Sequence, residues 1–411
     1  MTETMTRPAG VWSIGAPRLL AGALGGRRLG VREHLSVHGP PVARTRETFT
    51  SWCSAVGLRG RGGAAFPVAA KLAALPQEGA AAVVVNACGG EPGSVKDRAL
   101  LDLVPHLVLD GAVTLAAAVG AEAVVVVTHD AAAAQSARVA AAERRDRPAV
   151  SVDHAPGGFV AGEGRAVLAG LSGGPAVPPG RRRHATEAGL HGRPTFASNA
   201  ETFAHLGLLA RMGPQPFAAT GLAHEAGTML LTVGGAVARP GVVEIPIGTP
   251  TDVVLQAAEA ATPTALVLGG YHGAWVDPAR AHPLAVTAET PVGAGVLIAL
   301  DSRTCPMGEL ARVTSWLAAE SAGQCGPCVF GLPALADSLA GLWAGRADAW
   351  DRAQRRIALL PGRGACAHPD GAARFVATGL HHLAEEIAAH RRGGCGRPVL
   401  GQLPLPGGDS R

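Results

Sequence analysis

The chain has 411 residues, with 47% hydrophobic and 17% charged residues and a formal net charge of +4. At roughly 100–200 residues per domain this length suggests two to four domains, and the apolar share excludes a disordered chain. The small net charge, the lack of a long basic run and an aromatic content of 4% argue against nucleic acid as a main partner.

No stretch reaches the ~18 uninterrupted apolar residues of a membrane span. The most apolar region, Leu107 to Val127, is interrupted by Asp110 and Glu122. The N-terminus lacks a charged-then-apolar signal pattern, so the expected location is cytoplasmic. Seven cysteines are present, and four lie after Cys305. In a cytoplasmic chain such a cluster reads as metal or redox chemistry before disulfides.

The first forty-odd residues are Gly/Arg/Pro-rich and weakly patterned, and read as an N-terminal extension (1–44). A short helix is predicted over Thr45–Val56. It precedes Gly57-Leu58-Arg59-Gly60-Arg61-Gly62-Gly63-Ala64-Ala65-Phe66-Pro67 and an Ala-rich segment carrying Lys71. A glycine-rich loop that opens a helix offers backbone amides and a positive dipole end to a phosphate. An ordinary surface turn is the competing reading in a chain with 56 glycines. Only two lysines occur, Lys71 and Lys96, and both lie in the densest glycine motifs.

Ala81–Ala87 reads as a buried strand running into Gly89-Gly90-Glu91-Pro92-Gly93 and Lys96-Asp97-Arg98. A helix is predicted to about Val119, then a strand at Ala123–Thr128, a helix capped by Asp130, and a strand at Val150–Val152. Buried strands alternating with helices imply a parallel, doubly wound sheet whose ligands sit at the carboxyl ends of strands. The loop Phe159–Arg165 opens the next helical pattern. Arg181-Arg182-Arg183-His184 reads as a solvated loop. Thr195 to Thr202 includes Ser198-Asn199.

From Gly227 the texture becomes β-rich, with alternation at Leu231/Val233 and Val243/Ile245, strands at Ala265–Leu268 and Val296–Leu300, and a helix at Thr251–Ala260. The remainder is helical. Leu310, Val313 and Leu317 share one face, as do Leu335, Leu339 and Leu342, and Val376, Leu380, Leu383 and Ile387. Cysteines punctuate these helices: Cys325-Gly326-Pro327-Cys328, then Cys366 and Cys395. Thiolates in such sets bind iron–sulfur clusters or zinc; a redox dithiol and inert thiols are the alternatives. Cys53 and Cys305 read as ordinary buried or boundary thiols.

Taken together, four motifs in this order resemble the family of NADH-quinone oxidoreductase F subunits, the flavoproteins of respiratory complex I, with relatives in NAD-linked hydrogenases and formate dehydrogenases. G-L-R-G-R-G-G-A-A-F-P-V-A-A-K-L from Gly57 is similar to the family's G-L-R-G-R-G-G-A-G-F-P-T-G-x-K-W. V-V-N-A-C-G-G-E-P-G-S-V-K-D-R from Val84 is similar to V-V-N-A-D-E-G-E-P-G-T-x-K-D-R. T-F-A-S-N-A-E-T from Thr195 and E-S-A-G-Q-C-G-P-C from Glu320 resemble the later motifs. The resemblance covers about residues 45–390.

It implies a Rossmann-like α/β flavin domain (45–225), a small ubiquitin-like β domain of the SLBB type (226–302), an iron–sulfur helical bundle (303–395) and a tail (396–411). It implies that Gly60, Arg61, Gly62, Gly63 and Lys71 hold the FMN phosphate and ribityl chain, with Phe66 beside them. Asn86 and Glu91 would sit at the isoalloxazine ring, Glu91 as the catalytic acid, and Gly162, Glu163, Ser198 and Asn199 would close the pocket. NAD(P)H is the implied hydride donor, and other redox subunits or a ferredoxin-like acceptor are the implied partners, with the chain cytoplasmic or peripheral to a membrane complex. Two other readings stand beside this one: an electron-transfer subunit with FMN and an iron–sulfur cluster but without a nucleotide site, and a cofactor-poor docking scaffold.

The chain departs from the family pattern in several places. Cys88 and Gly89 stand where the family has Asp and Glu, Gly164 where it has Glu, and Ala74 where it has an aromatic. Ala322 replaces the first cluster cysteine. Cys325, Cys328 and Cys366 match the other three ligands, and Cys395 is the expected fourth, ahead of His368. A 3Fe–4S cluster is the alternative to 4Fe–4S.

Overall fold

The computed structural model describes residues 10–77, 82–180, 183–287, 289 and 291–406. Ala81, Arg181 and Arg182, which the sequence reading assigns to a strand start and a solvated loop, lie outside the described residues.

Four parallel strands form the first sheet: β2 (Ala82–Asn86), β3 (Ala123–Thr128), β4 (Val150–His154) and β5 (Thr195–Asn199), in the order β4-β3-β2-β5. Strand periodicity explains why it is buried on both faces. Val83, Val85, Val124 and Val126 point into the large core shared with helices Pro105–Ala118 and Ala200–Met212. Ala82, Val84, Val125 and Val127 point to the opposite face, against Val167 and Leu168 of helix Gly164–Leu171. This α/β sandwich agrees with the expected doubly wound class. Thr45 caps the first predicted helix by accepting from Thr48 N, and Asp130 caps Ala131–Ala142 by accepting from Ala133 N.

The second sheet has six strands: β1 (Val11–Ser13), β8 (Thr228–Gly235), β9 (Gly241–Pro246), β10 (Ala265–Leu268), β11 (Ala274–Val276) and β12 (Val296–Leu300), in the order β1-β9-β8-β12-β10-β11. A two-stranded ribbon, β6 (Gly221–Leu222) with β7 (Glu225–Ala226), precedes it. Val296, Ile298 and Leu300 face the C-terminal helices, while Leu297 and Ala299 face the other way, toward helix Thr251–Ala257.

Residues 10–44 are more than an appendage. β1 pairs in parallel with β9, Leu19 and Leu20 are fully buried, and their amides donate to the Glu244 carboxylate at 2.9 Å each. The C-terminal segment also departs from expectation. The single helical face Val376–Ile387 is divided at Leu383 into helices His368–His382 and Ala384–Arg391. No single helix among the described residues is long and apolar enough to cross a membrane.

Candidate functional site

The chain runs from β2 outward to β3 and β4, then returns to add β5 on the other side of β2. Strand order therefore reverses between β2 and β5, and a crevice at the carboxyl ends of a parallel sheet opens at such a reversal. Asn86 and Asn199, the last residues of these strands, are direct register partners there. Asn86 Nδ2 donates to Gly162 O at 3.0 Å, and its Oδ1 accepts from Cys88 N at 3.1 Å. Asn199 Nδ2 donates to both Asp97 oxygens, at 3.0 and 3.2 Å, and its Oδ1 accepts from the Thr202 hydroxyl. Ser198, beside Val85 in the register, is half-buried.

The glycine loop lies against this crevice. It is pinched at its base, where Gly60 N donates to Phe66 O at 2.9 Å and Val68 N to Leu58 O at 3.0 Å. Gly57 adopts φ +63°, and a Cβ there would stand 2.1 Å from His224 O, so the loop's first turn admits only glycine. Arg61 N donates to Thr202 Oγ1 at 3.0 Å, and Gly62 faces Asn199 across an ordinary contact of 3.6 Å from its notional Cβ. Phe66 sits on the rim, 49% exposed.

The two cations divide their roles in a way the motif does not reveal. The expectation that the Arg61 side chain holds the phosphate is corrected: it points inward, and its Nη1 pairs with Glu225 Oε1 at 2.6 Å with both side chains buried. Arg61 thus bolts the loop to the β6–β7 ribbon, although its Nε and Nη2 meet no acceptor among the described residues. Lys71 is the available cation. Its ammonium donates to Ala197 O at 2.8 Å and lies 5.4 Å from the Phe196 ring. Burial lowers it to about 8, with no carboxylate among the described residues to hold it up. An ammonium held this way lacks an anion. The side-chain-free wall of Gly60, Gly62 and Gly63, together with Lys71, suits the phosphate of FMN. Lys96, by contrast, is spent in a buried pair with Glu201 at 2.8 Å.

Two further loops meet over the crevice. A Cβ at Gly90 would lie 2.5 Å from Phe159 O, and one at Gly162 3.0 Å from Gly90 N, so these backbones pack directly on each other. Glu163 caps the next helix, its Oε2 accepting from Arg165 N and Ala166 N at 2.9 and 3.0 Å. The expectation of Glu91 as an acid facing the ring is also corrected. Its carboxylate is buried, with Oε2 accepting from Tyr271 N at 2.7 Å and Oε1 from Gly93 N at 3.3 Å. Burial raises it to about 7 against those two amides. Glu91 joins the crevice loop to the second sheet, so it is a positioning residue. Cys88, at the departure from the family pattern, is buried and pushed up to about 12, mainly by burial.

The thiols fall into separate groups. Cys325, Cys328 and Cys366 are neighbours: burial and then the Cys325 and Cys366 thiols push Cys328 up to about 12. Burial would raise Cys325, but main-chain N–H groups of Ala365 and Cys328 hold it below its usual value. Three converging sulfurs with amide donors suit an iron–sulfur cluster with three protein ligands. Cys395 is not the fourth, which overturns the expectation. It stands instead with Cys305 and His390, because the break at Leu383 turns the last helix toward the start of helix Pro306–Ala319. His368 is committed elsewhere, with Nε2 2.8 Å from Leu317 O and Nδ1 3.1 Å from His272. The flavin-side and thiol loops touch: Arg165 Nη2 donates to Ala365 O at 3.1 Å, and Phe159 N to Glu320 Oε2 at 2.8 Å.

A doubly wound crevice with a lysine that meets no carboxylate among the described residues, adjoining a three-thiol loop, defines a two-site redox protein. Residues 53–207 match the model described as the Nuo51 FMN-binding domain, and residues 309–390 the NADH-ubiquinone oxidoreductase-F iron-sulfur binding region. The chain is 31% identical over 383 residues to the NADH-quinone oxidoreductase F subunit of Mycobacterium tuberculosis (strain ATCC 25618 / H37Rv), covering 82% of this chain and 83% of that one. It is 28% identical over 362 residues to the second NADH-quinone oxidoreductase F subunit of Rhizobium meliloti (strain 1021), covering 81% and 86%. Among solved structures it resembles an NAD+-reducing [NiFe]-hydrogenase in the H2-reduced state, with a TM-score of 0.80 and 26% identity over 94% of this chain and 68% of that one. The chain belongs to the family of NADH-quinone oxidoreductase F subunits.

Proposed function

We propose that this chain is an NAD(P)H dehydrogenase-type oxidoreductase subunit that moves electrons from the nucleotide through FMN to an iron–sulfur cluster and on to a partner redox subunit. The observation that carries this reading is the contact between the two sites, Arg165 to Ala365 O at 3.1 Å, which sets the crevice against the loop of Cys366. FMN, when bound, supplies the conversion of a two-electron hydride into single-electron transfers.

The chain's own residues do the rest. Lys71 and the wall of Gly60, Gly62 and Gly63 hold the phosphate, while Arg61 fixes that loop from behind. Asn86 and Asn199 fix the crevice floor, with Gly162 and Ser198 at its edge. Glu163 orients the helix that carries Arg165, and Glu91 holds the crevice to the second sheet. Cys325, Cys328 and Cys366 hold the cluster. Residues 45–225 are read as the FMN unit, 226–302 as an SLBB-type docking unit, and 303–395 as a helical bundle around the cluster, with residues 10–44 and 396–406 packed onto them.

The test is anaerobic addition of NADH to purified, FMN-loaded protein, followed at the flavin band. Bleaching supports the reading; no bleaching with NADH or NADPH, in protein that retains flavin, removes the nucleotide step. One observation favours the second reading, a subunit reduced by another protein. Gly89 is exposed and nothing lies within 4 Å of a Cβ at Gly164, so space stands where the family carries acids.

A further inference from the structure

We propose that Cys305, Glu386, His390 and Cys395 form a second metal site, separate from the Cys325 loop, that takes a zinc-class divalent cation and staples the C-terminal segment to the helical region. One ligand atom from each residue lies within 4.8 Å of all the others. A tetrahedral zinc ion with bonds of ~2.0–2.3 Å sets adjacent donors about 3.3–3.8 Å apart. Cys305 Sγ to His390 Nε2 is 3.2 Å, and Glu386 Oε1 to His390 Nε2 is 3.6 Å. Small side-chain rotations close the remaining edges.

The protonation pattern points the same way. His390 Nδ1 lies 2.7 Å from Trp343 O, which only accepts, so Nδ1 carries the proton in the neutral ring. Nε2 then presents a lone pair to the thiol and the carboxylate, the arrangement usual for a metal-bound imidazole. Glu386 Oε1 is buried and has no hydrogen-bond partner among the described residues. Two lone pairs facing each other at 3.6 Å need a cation or a proton between them.

Framework and charge agree. Glu386 and His390 are four residues apart on one helix and share its face. Cys305 caps helix Pro306–Ala319, its sulfur accepting from Gly308 N at 3.2 Å, which fixes that donor at the helix start. Two thiolates and a carboxylate leave one negative charge around a divalent ion. Arg397, paired with Glu386 Oε2, neutralises it. Binding is ligand exchange without redox: two thiol protons are released as two metal–sulfur bonds form. The ion would fix Cys395 beside Cys305, whose amide already donates to Pro398 O at 2.7 Å.

The test is anaerobic titration of the full chain with Co2+, read by its thiolate charge-transfer and ligand-field bands, followed by displacement with Zn2+. A variant with Cys325, Cys328 and Cys366 all changed to Ser removes the other thiol site. Expected is one tightly bound Co2+ with a tetrahedral spectrum, kept in that variant, lost in Cys395→Ser and weakened about tenfold or more in Glu386→Gln. The proposal is overturned by any of three results: no tetrahedral Co2+ spectrum in wild type, the same spectrum after Cys395→Ser, or a Cys305–Cys395 disulfide in protein isolated anaerobically. Glu386→Gln, which keeps side-chain shape, stands in if the cysteine variant does not fold, and an unchanged Co2+ affinity there also overturns it.

Discussion

Arg165 and Ala365 are joined by a guanidinium-to-carbonyl hydrogen bond of 3.1 Å, which ties the crevice loop to the thiol loop. Arg165 also pairs with Glu163 at 3.1 Å, so one side chain holds the capping acid and the residue before Cys366. In Arg165→Ala, FMN affinity should stay near wild type while NADH-driven reduction of the cluster slows. The stability cost should be about 1 kcal/mol, the usual worth of such a bond. Rapid mixing under anaerobic conditions separates the two steps; equal loss of flavin and cluster reduction would contradict it.

Lys71 gives FMN binding a pH window. The ammonium form binds phosphate, and burial has lowered its folded pKa from 10.5 to about 8. The phosphate is mostly a dianion above ~6. Affinity should therefore be greatest between about 6 and 8 and fall as pH rises through the lysine's value. Lys71→Ala should weaken FMN by roughly 1.5–3 kcal/mol and flatten the alkaline limb. Fluorescence quenching across pH in both proteins measures this; an alkaline limb that survives the substitution would assign it to another group.

Glu91 makes the fold sensitive to mild pH changes. Its folded pKa is raised from 4.5 to about 7, chiefly by burial. The folded state therefore binds the proton more tightly than the unfolded chain does. This contribution is fully present below 4.5 and is lost as pH rises to about 7. Glu91→Gln should remove that slope while costing about 1–3 kcal/mol overall, because one backbone amide loses its acceptor. Denaturant unfolding at either end of the window provides the comparison.

The three-thiol arrangement predicts iron content. Cys395→Ser should leave reconstituted iron unchanged, whereas Cys325→Ser should lower it. Ala322→Cys should convert a three-iron or labile-iron signal into that of a fully ligated 4Fe–4S cluster in electron paramagnetic resonance. If Cys395→Ser alters the signal and Cys325→Ser does not, the ligand assignment is reversed.

At Gly57, alanine would combine a strained left-handed φ with a contact of 2.1 Å to His224 O. Loss of stability beyond ~2 kcal/mol is expected, together with loss of FMN binding as the loop base shifts. Wild-type thermal stability in Gly57→Ala would show that the loop relaxes freely.

β2 and β3 were legible because they are short, nearly wholly apolar runs; Ala123–Thr128, and Ala265–Leu268 and Val296–Leu300 of the second sheet, appear with the bounds expected, whereas β5, with Thr195, Ser198 and Asn199, carries no such run. Asn86 and Asn199 were named through the resemblance, and of the two only Asn86 lay in an expected strand. Arg61 was not: its partner Glu225 is 164 residues away, and no local pattern announces a buried pair. Cys395 was misplaced because the turn at Leu383 lies inside an unbroken helical pattern, so direction changed without a glycine or proline to mark it. β1 escaped notice because three residues carry no periodicity, and its partner strand lies beyond the whole first sheet.

That last pairing constrains synthesis. Val11 waits for Val242 before it has a ladder to join, and β12 must arrive before β8 has its second neighbour. A nascent chain therefore carries its earliest strand unpaired through most of translation, and such long-range closure is slow. A fragment ending at residue 225 would leave that strand without its ladder and the Leu19 and Leu20 amides without the Glu244 carboxylate, while their side chains keep their place in the first core. Attempts to express the flavin half alone should then yield aggregates unless the unpaired strand, residues 11–13, is removed with the rest.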